Sequence, residues 1–255
     1  MRIALFTLES AISAGAVDRF LQAHAGDVVL IGRSRPFRAA AGGPLRQGWR
    51  HLQRSGPGLL PYLWVNYAVP QALGRWRPPM GVPVVEVEDV NGPAMAAAIG
   101  RARPDLLLSL HFDQIFAAGT LALAPLGGIN LHPSLLPRHR GPVPTIWALA
   151  EDRPRFGVTV HRLVPRIDAG DILGQRAVQL PPGTTASAAA RALHLEGVPL
   201  LGECLAALAA GAVPGRTVEQ MPYCPFPPPD VLRALRRRGR RLVDAGDLRA
   251  ALRQK

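Results

Sequence analysis

The run Leu106–Leu110, LLLSL, is apolar at four of its five positions and does not alternate. A strand wetted on one side would alternate polar and apolar residues, so this one is expected to be covered on both faces, as central strands of parallel sheets are. The chain ahead of it keeps the same rhythm. Ile3–Phe6 and Val28–Ile31 read as strands enclosing a helix from about Ala14 to His24, and Val84–Val87 reads as a strand followed by a helix over Pro93–Arg101. The expected fold class is α/β, a Rossmann-like doubly wound and mostly parallel sheet. With 255 residues, 48% hydrophobic and 19% charged, the chain can bury a sizeable core as one domain. We place that domain at 1–210, with a long irregular insertion over 33–83 and a short basic C-terminal extension over 211–255.

The chemistry concentrates between Gly128 and Asp171, which opens GINLHPSLLPRHRGPVPTIWAL and closes GVTVHRLVPRIDAGD. Asn130 and His132 are two apart, so on a strand they project to the same side, and Pro133 then ends the strand because it has no N–H to give. A helix is predicted over Val143–Ala150. Gly157–His161 reads as a further strand, and if it pairs beside the Asn130 strand it brings His161 to the same place. An amide donor, an imidazole and a later carboxylate, Asp168, are parts needed when a carbonyl is attacked. Beyond these, a strand over Ile172–Gln179 and a helix over Thr184–Ala209, capped by Thr185 or Ser187, complete the domain.

The run N-x-H-P-S-L-L-P-x-x-R-G-x-x-P, followed by G-V-T-V-H and I-D-A-G-D-I-L, resembles the folate-dependent formyltransferase family, most clearly over Asp105–Leu208. The resemblance implies a formyltransferase that moves a formyl group from 10-formyltetrahydrofolate to a primary amine of a small-molecule acceptor, either an amino-sugar nucleotide or a natural-product amine. It puts the catalytic roles on Asn130, His132 and Asp168, with His132 as an imidazolium favoured by Asp168. It puts folate contact on Phe112, Gln114, Phe116, Ile167 and Gly170, and substrate contact or support of those groups on Arg140, His161 and Ser134. No metal is called for. Two alternatives stay open, a formyltetrahydrofolate hydrolase and a non-catalytic folate- or nucleotide-binding relative. At His111 and Asp113 the sequence HFDQIF departs from the family pattern, and His111 reads equally as a structural histidine.

The turn Thr7–Ser13 lacks the clustered glycines that cradle phosphate, which argues against a dinucleotide and against a glycinamide ribonucleotide acceptor. The net charge of +12 would suggest phosphate-bearing partners, but Lys occurs only at Lys255 and the rest is Arg in an Ala-, Gly- and Pro-rich chain. Coding bias explains that equally well. tRNA ranks below a small amine as acceptor, and a homodimer is left open. Two cysteines form no ligand set, and Met1–Ser10 has no leader pattern, so a cytoplasmic location is expected. Leu59–Leu73 is too short and too interrupted for a membrane span. Its aromatic residues Tyr62, Trp64 and Tyr67, with Trp76, either pack over a site or form a satellite cluster. All catalytic candidates precede Asp171, so the basic tail from Arg233 is expected to be dispensable.

Overall fold

A computed structural model describes residues 1–35, 42–74, 81–211 and 215–253. Five strands, β1 (Ile3–Leu8), β2 (Val28–Ser34), β3 (Val84–Glu86), β4 (Leu106–Leu110) and β5 (Gly128–His132), run parallel, and β6 (Phe156–Arg162) and β7 (Ile172–Val178) follow antiparallel in the order β3-β2-β1-β4-β5-β6-β7. The fold is thus a Rossmann-like doubly wound, mostly parallel sheet. All five residues of β4 are buried. Leu106, Leu108 and Leu110 face one apolar cluster while Leu107 faces the other, which is why a non-alternating sequence suits this position.

Helices α1 (Ala14–Ala23) and α8 (Ala186–Ala209) cover the first face, and α5 (Pro93–Ala102) covers the second together with the short α6 (Ala118–Leu121). In α1 the buried Ala16, Val17, Phe20 and Leu21 fall on one stripe at helical spacing. Thr185 caps α8 by accepting from the N–H of Ala188 at 3.0 Å. That helix is long and apolar enough to span a bilayer, yet it is packed on β6, β7 and α1.

Two expectations are corrected. The connection read as irregular over 33–83 is helical in α2 (Gly43–Ser55) and again from Pro57 to Leu73, through α3 (Leu60–Leu63), a π-helical turn (Trp64–Ala68) and α4 (Val69–Leu73). Pro57, Pro61 and Pro70 looked like breakers, but each stands in the first turn of its segment, where the missing N–H has no partner to lose. Trp76 and Pro214 lie outside the described residues. The C-terminal segment is not a loose tail either. In α9 (Pro229–Arg237), Leu232 and Leu235 join Leu59, Tyr62 and Ile146 in one cluster, and Ala251 of α10 (Ala245–Arg253) packs with Val65 and Val69. Asp247, 1% exposed, accepts from Thr185 Oγ1 and Asp244 N at 2.8 Å each and pairs with Arg191.

Candidate active site

The strand order reverses between β1 and β4, and α/β sheets bind ligands at the carboxyl ends of the strands beside such a switch. Asn130 and His132, at the end of β5, line that edge. Antiparallel pairing sets His161 of β6 opposite Asn130. The chain between β6 and β7 folds back over the same edge and delivers Asp168.

These side chains form one cluster. Asp168 Oδ1 lies 3.5 Å from His132 Nδ1 and 3.5 Å from His161 Nε2, and His161 Nε2 is 3.1 Å from Asn130 Nδ2. His161 Nδ1 faces the Arg162 carbonyl at 2.9 Å, and its Nε2 stands between the Asn130 amide and the Asp168 carboxylate. The second N–H of that amide is left for a ligand. His132 Nε2 sits 3.3 Å from the His139 carbonyl.

Burial would raise the Asp168 carboxyl, but His132, His161 and the N–H of Gly141, which donates to Oδ2 at 2.9 Å, hold it down to about 2. For His132 the balance runs the other way. Burial pushes its imidazole below the ordinary value more than Asp168 lifts it, with His161 and Arg140 adding to the fall. The resting residue is therefore neutral at neutral pH, not the imidazolium expected from sequence. Both ring nitrogens nonetheless face oxygens, an arrangement ready to stabilise the cation once a proton arrives.

The Asp168 loop is pinned from below. Arg140, 4% exposed, donates to the carbonyls of Ile167 at 2.6 Å, Asp168 at 3.1 Å and Met221 at 2.9 Å, so its guanidinium is a brace and not a solvated charge. Asp168 itself has φ of +44°, and Gly170 sits so close to the strand that a Cβ would fall 2.0 Å from the Arg162 carbonyl. Gly170 and Ser134 shape the loops and do not line the cavity. Ser134 Oγ donates to the Arg138 carbonyl at 2.8 Å. His139 is mostly buried and ion-paired with Glu151 at 3.2 Å, so it is not the exposed residue its sequence neighbours suggest.

Around the cluster opens a cavity of about 770 Å³. Phe112, Gln114, Phe116 and Ile167, on which the resemblance puts folate contact, all line it. Phe112 and Phe116 lie 5.5 Å apart, and Gln114 is fixed by Val90 N and the Val87 carbonyl. Tyr62, Trp64 and Tyr67 line the cavity too, and Tyr62 and Tyr67 also pack in the apolar cluster with Leu232 and Leu235, so the stretch fits both readings. His111, at φ of +56°, stacks on Tyr67 with ring centroids 5.9 Å apart and meets His194 edge-to-face at 5.2 Å. His194 was missed, since a single histidine on a long apolar helix carries no spacing signal. Gln47, His51 and Arg54 of α2 were missed because that helix was read as loop.

Fold and site together define a doubly wound α/β protein with an Asn, a His and an Asp gathered at the carboxyl edge of its sheet. Residues 82–205 match the family model described as formyl transferase. A methionyl-tRNA formyltransferase from Roseiflexus castenholzii is 39% identical over 134 residues, covering 52% of this chain and 43% of that protein. The chain thus matches less than half the length of this curated relative. Among solved structures, glycinamide ribonucleotide transformylase 1 from Symbiobacterium toebii aligns with TM-score 0.58 at 20% identity over 87% of this chain and 94% of its own. A sugar N-formyltransferase from a Shewanella species gives 0.56 at 20% over 88% and 77%. A sugar 3N-formyl transferase, WlaRD, solved in the presence of dTDP and 5-N-formyl-THF, gives 0.54 at 16% over 88% and 69%. These alignments establish the shared fold.

Proposed function

We propose that this protein transfers a formyl group from 10-formyltetrahydrofolate to a primary amine of a small-molecule acceptor. The observation that carries the reading is the convergence of Asn130, His132 and Asp168 within a segment matched by the formyl transferase model. The apolar wall of Phe112, Phe116 and Ile167 suits a flat heteroaromatic ring, with its carbonyl placed toward Asn130. The folate supplies the formyl carbon. Asn130, its amide oriented by His161, donates a hydrogen bond to the oxygen that gains charge as the amine attacks. His132 takes the proton the amine loses, and the imidazolium formed directs one N–H at Asp168, whose nearby charge favours it, and the other at the His139 carbonyl. The C–N bond to the acceptor forms, the bond to the folate nitrogen breaks, and that nitrogen receives the proton from His132.

Incubation with 10-formyltetrahydrofolate and a panel of amines, read by a formyl-sized mass gain on the acceptor, tests this. Transfer to an amine with formate released only as background is the expected result. Steady formate release that no amine diverts would establish the hydrolase instead, and absence of both would end the enzymatic reading.

A further inference from the structure

The cavity does not stop at Asn130 and His132. It continues under the cover formed by α3, the π-helical turn and α4, where Ile12, Tyr62, Leu63, Tyr67, Val143 and His194 line it. Ile12, Tyr62, Leu63, Tyr67 and Val143 belong to a different apolar cluster from Phe112 and Phe116, so the cavity has a second apolar wall, a lobe for a reactant whose nitrogen must reach a carbonyl held at Asn130.

The lobe's histidines and tyrosines carry no formal charge at neutral pH, and the Asp113 carboxylate beside Tyr67 adds only negative charge, which a phosphate would not match. Burial pushes His111 down to about 3 and His194 to about 4, and it raises the hydroxyls of Tyr62 and Tyr67. The place where a phosphate would dock in such a sheet, the turn after β1, is closed by the protein itself. Ala11 N donates to the Asn66 carbonyl of the cover at 2.8 Å, and Ser13 N and Ala14 N are held by Ser10 at 3.3 and 3.2 Å. Glu9, paired with Arg33, adds negative charge there. His194 supplies the positive recognition element. Its Nδ1 is committed to the Ala190 carbonyl at 2.7 Å, so Nε2 carries a lone pair, and Nε2 is buried with no hydrogen-bond partner among the described residues, in a residue only 1% exposed. A buried acceptor left unpaired costs about 1–3 kcal/mol, which a ligand N–H would recover.

We infer that this lobe is the acceptor subsite, and that it takes a primary amine carrying a compact apolar or aromatic group and no phosphate, with His194 Nε2 accepting an N–H of that amine. The inference rests on the formyl-transfer reading, and the two are separable. Binding of 5-formyltetrahydrofolate, followed by tryptophan fluorescence of the full chain, reports the folate end alone, and its absence sinks the formyl-transfer reading. With folate binding present, phenethylamine and isopentylamine are compared with an amino-sugar nucleotide as acceptors. The expected kcat/KM for the apolar amines is at least about tenfold higher. His194→Leu is expected to raise their KM by about tenfold with kcat little changed, and His194→Gln, which restores an acceptor oxygen, to recover part of it. Preference for the nucleotide, folate binding without transfer to any apolar amine, or a His194→Leu effect confined to kcat would overturn the lobe assignment. Should His194→Leu fail to fold, the acceptor panel on the unaltered protein still decides.

Discussion

His194 offers a quantitative check on the electrostatics of the cavity. Its imidazole is lowered from about 6.5 to about 4, chiefly by burial, so the folded protein holds it neutral while the unfolded chain protonates near the ordinary value. A histidine with a depressed folded value contributes stability that is present above the unfolded value and is lost as pH falls toward the folded one. Between about pH 7 and about pH 5 the unfolded state gains nearly a full proton at this site and the folded state almost none. At about 1.4 kcal/mol per pH unit over roughly 1.5 units, the protein loses about 2 kcal/mol from this residue. His194→Leu removes that loss and leaves the other titrating groups in place. Whatever constant offset the substitution brings, the variant should therefore gain about 2 kcal/mol on the unaltered protein over this interval. Urea unfolding followed by circular dichroism at the two pH values, with free energies extrapolated linearly, measures the gap. Parallel pH profiles for the two proteins would refute a neutral, buried His194 and with it the lone pair offered to the acceptor.

Two further changes probe the catalytic cluster and the C-terminal segment. Asp168→Asn keeps an acceptor for the Gly141 N–H and tolerates the positive φ, so folate binding should persist while single-turnover transfer falls by about a hundredfold or more. A rate within a few-fold of the unaltered protein would reduce Asp168 to a loop residue. Asp247→Ala strands Arg191 beside a buried void and should cost about 3 kcal/mol in urea unfolding, whereas a loss below about 1 kcal/mol would show the pair to be incidental.

The sheet and the heart of the site were legible because their signals are local. LLLSL announces a doubly covered strand, and the spacing of Asn130, His132 and Asp168 survives folding as the cluster itself. His161 was placed correctly from one assumption of strand pairing, which the register with Asn130 bears out. The cover was not legible, since proline marks both a break and a helix start, and only the surrounding chain decides between them. The protonation of His132 was misjudged for a related reason. The sequence names its partner Asp168 but not the depth of burial, and here burial outweighs the partner. The tail was taken as dispensable because every catalytic candidate precedes Asp171, and that reasoning could not see the packing of Leu235, Asp247 and Ala251 on the rest of the fold.

The segment from Met221 to Pro225 has a bearing on how such proteins can be recombined. It receives Arg140 on the Met221 carbonyl, gives the Cys224 N–H to the Arg140 carbonyl at 2.7 Å, and takes the indole N–H of Trp147 on Pro225 at 2.7 Å. A graft that exchanged only the stretch up to the end of α8 would leave Arg140 with one of its acceptors gone. A working chimera must therefore carry this strap along with the Asp168 loop, and α9 and α10 with the cover they pack on, although the strap, α9 and α10 all lie beyond the family-matched segment.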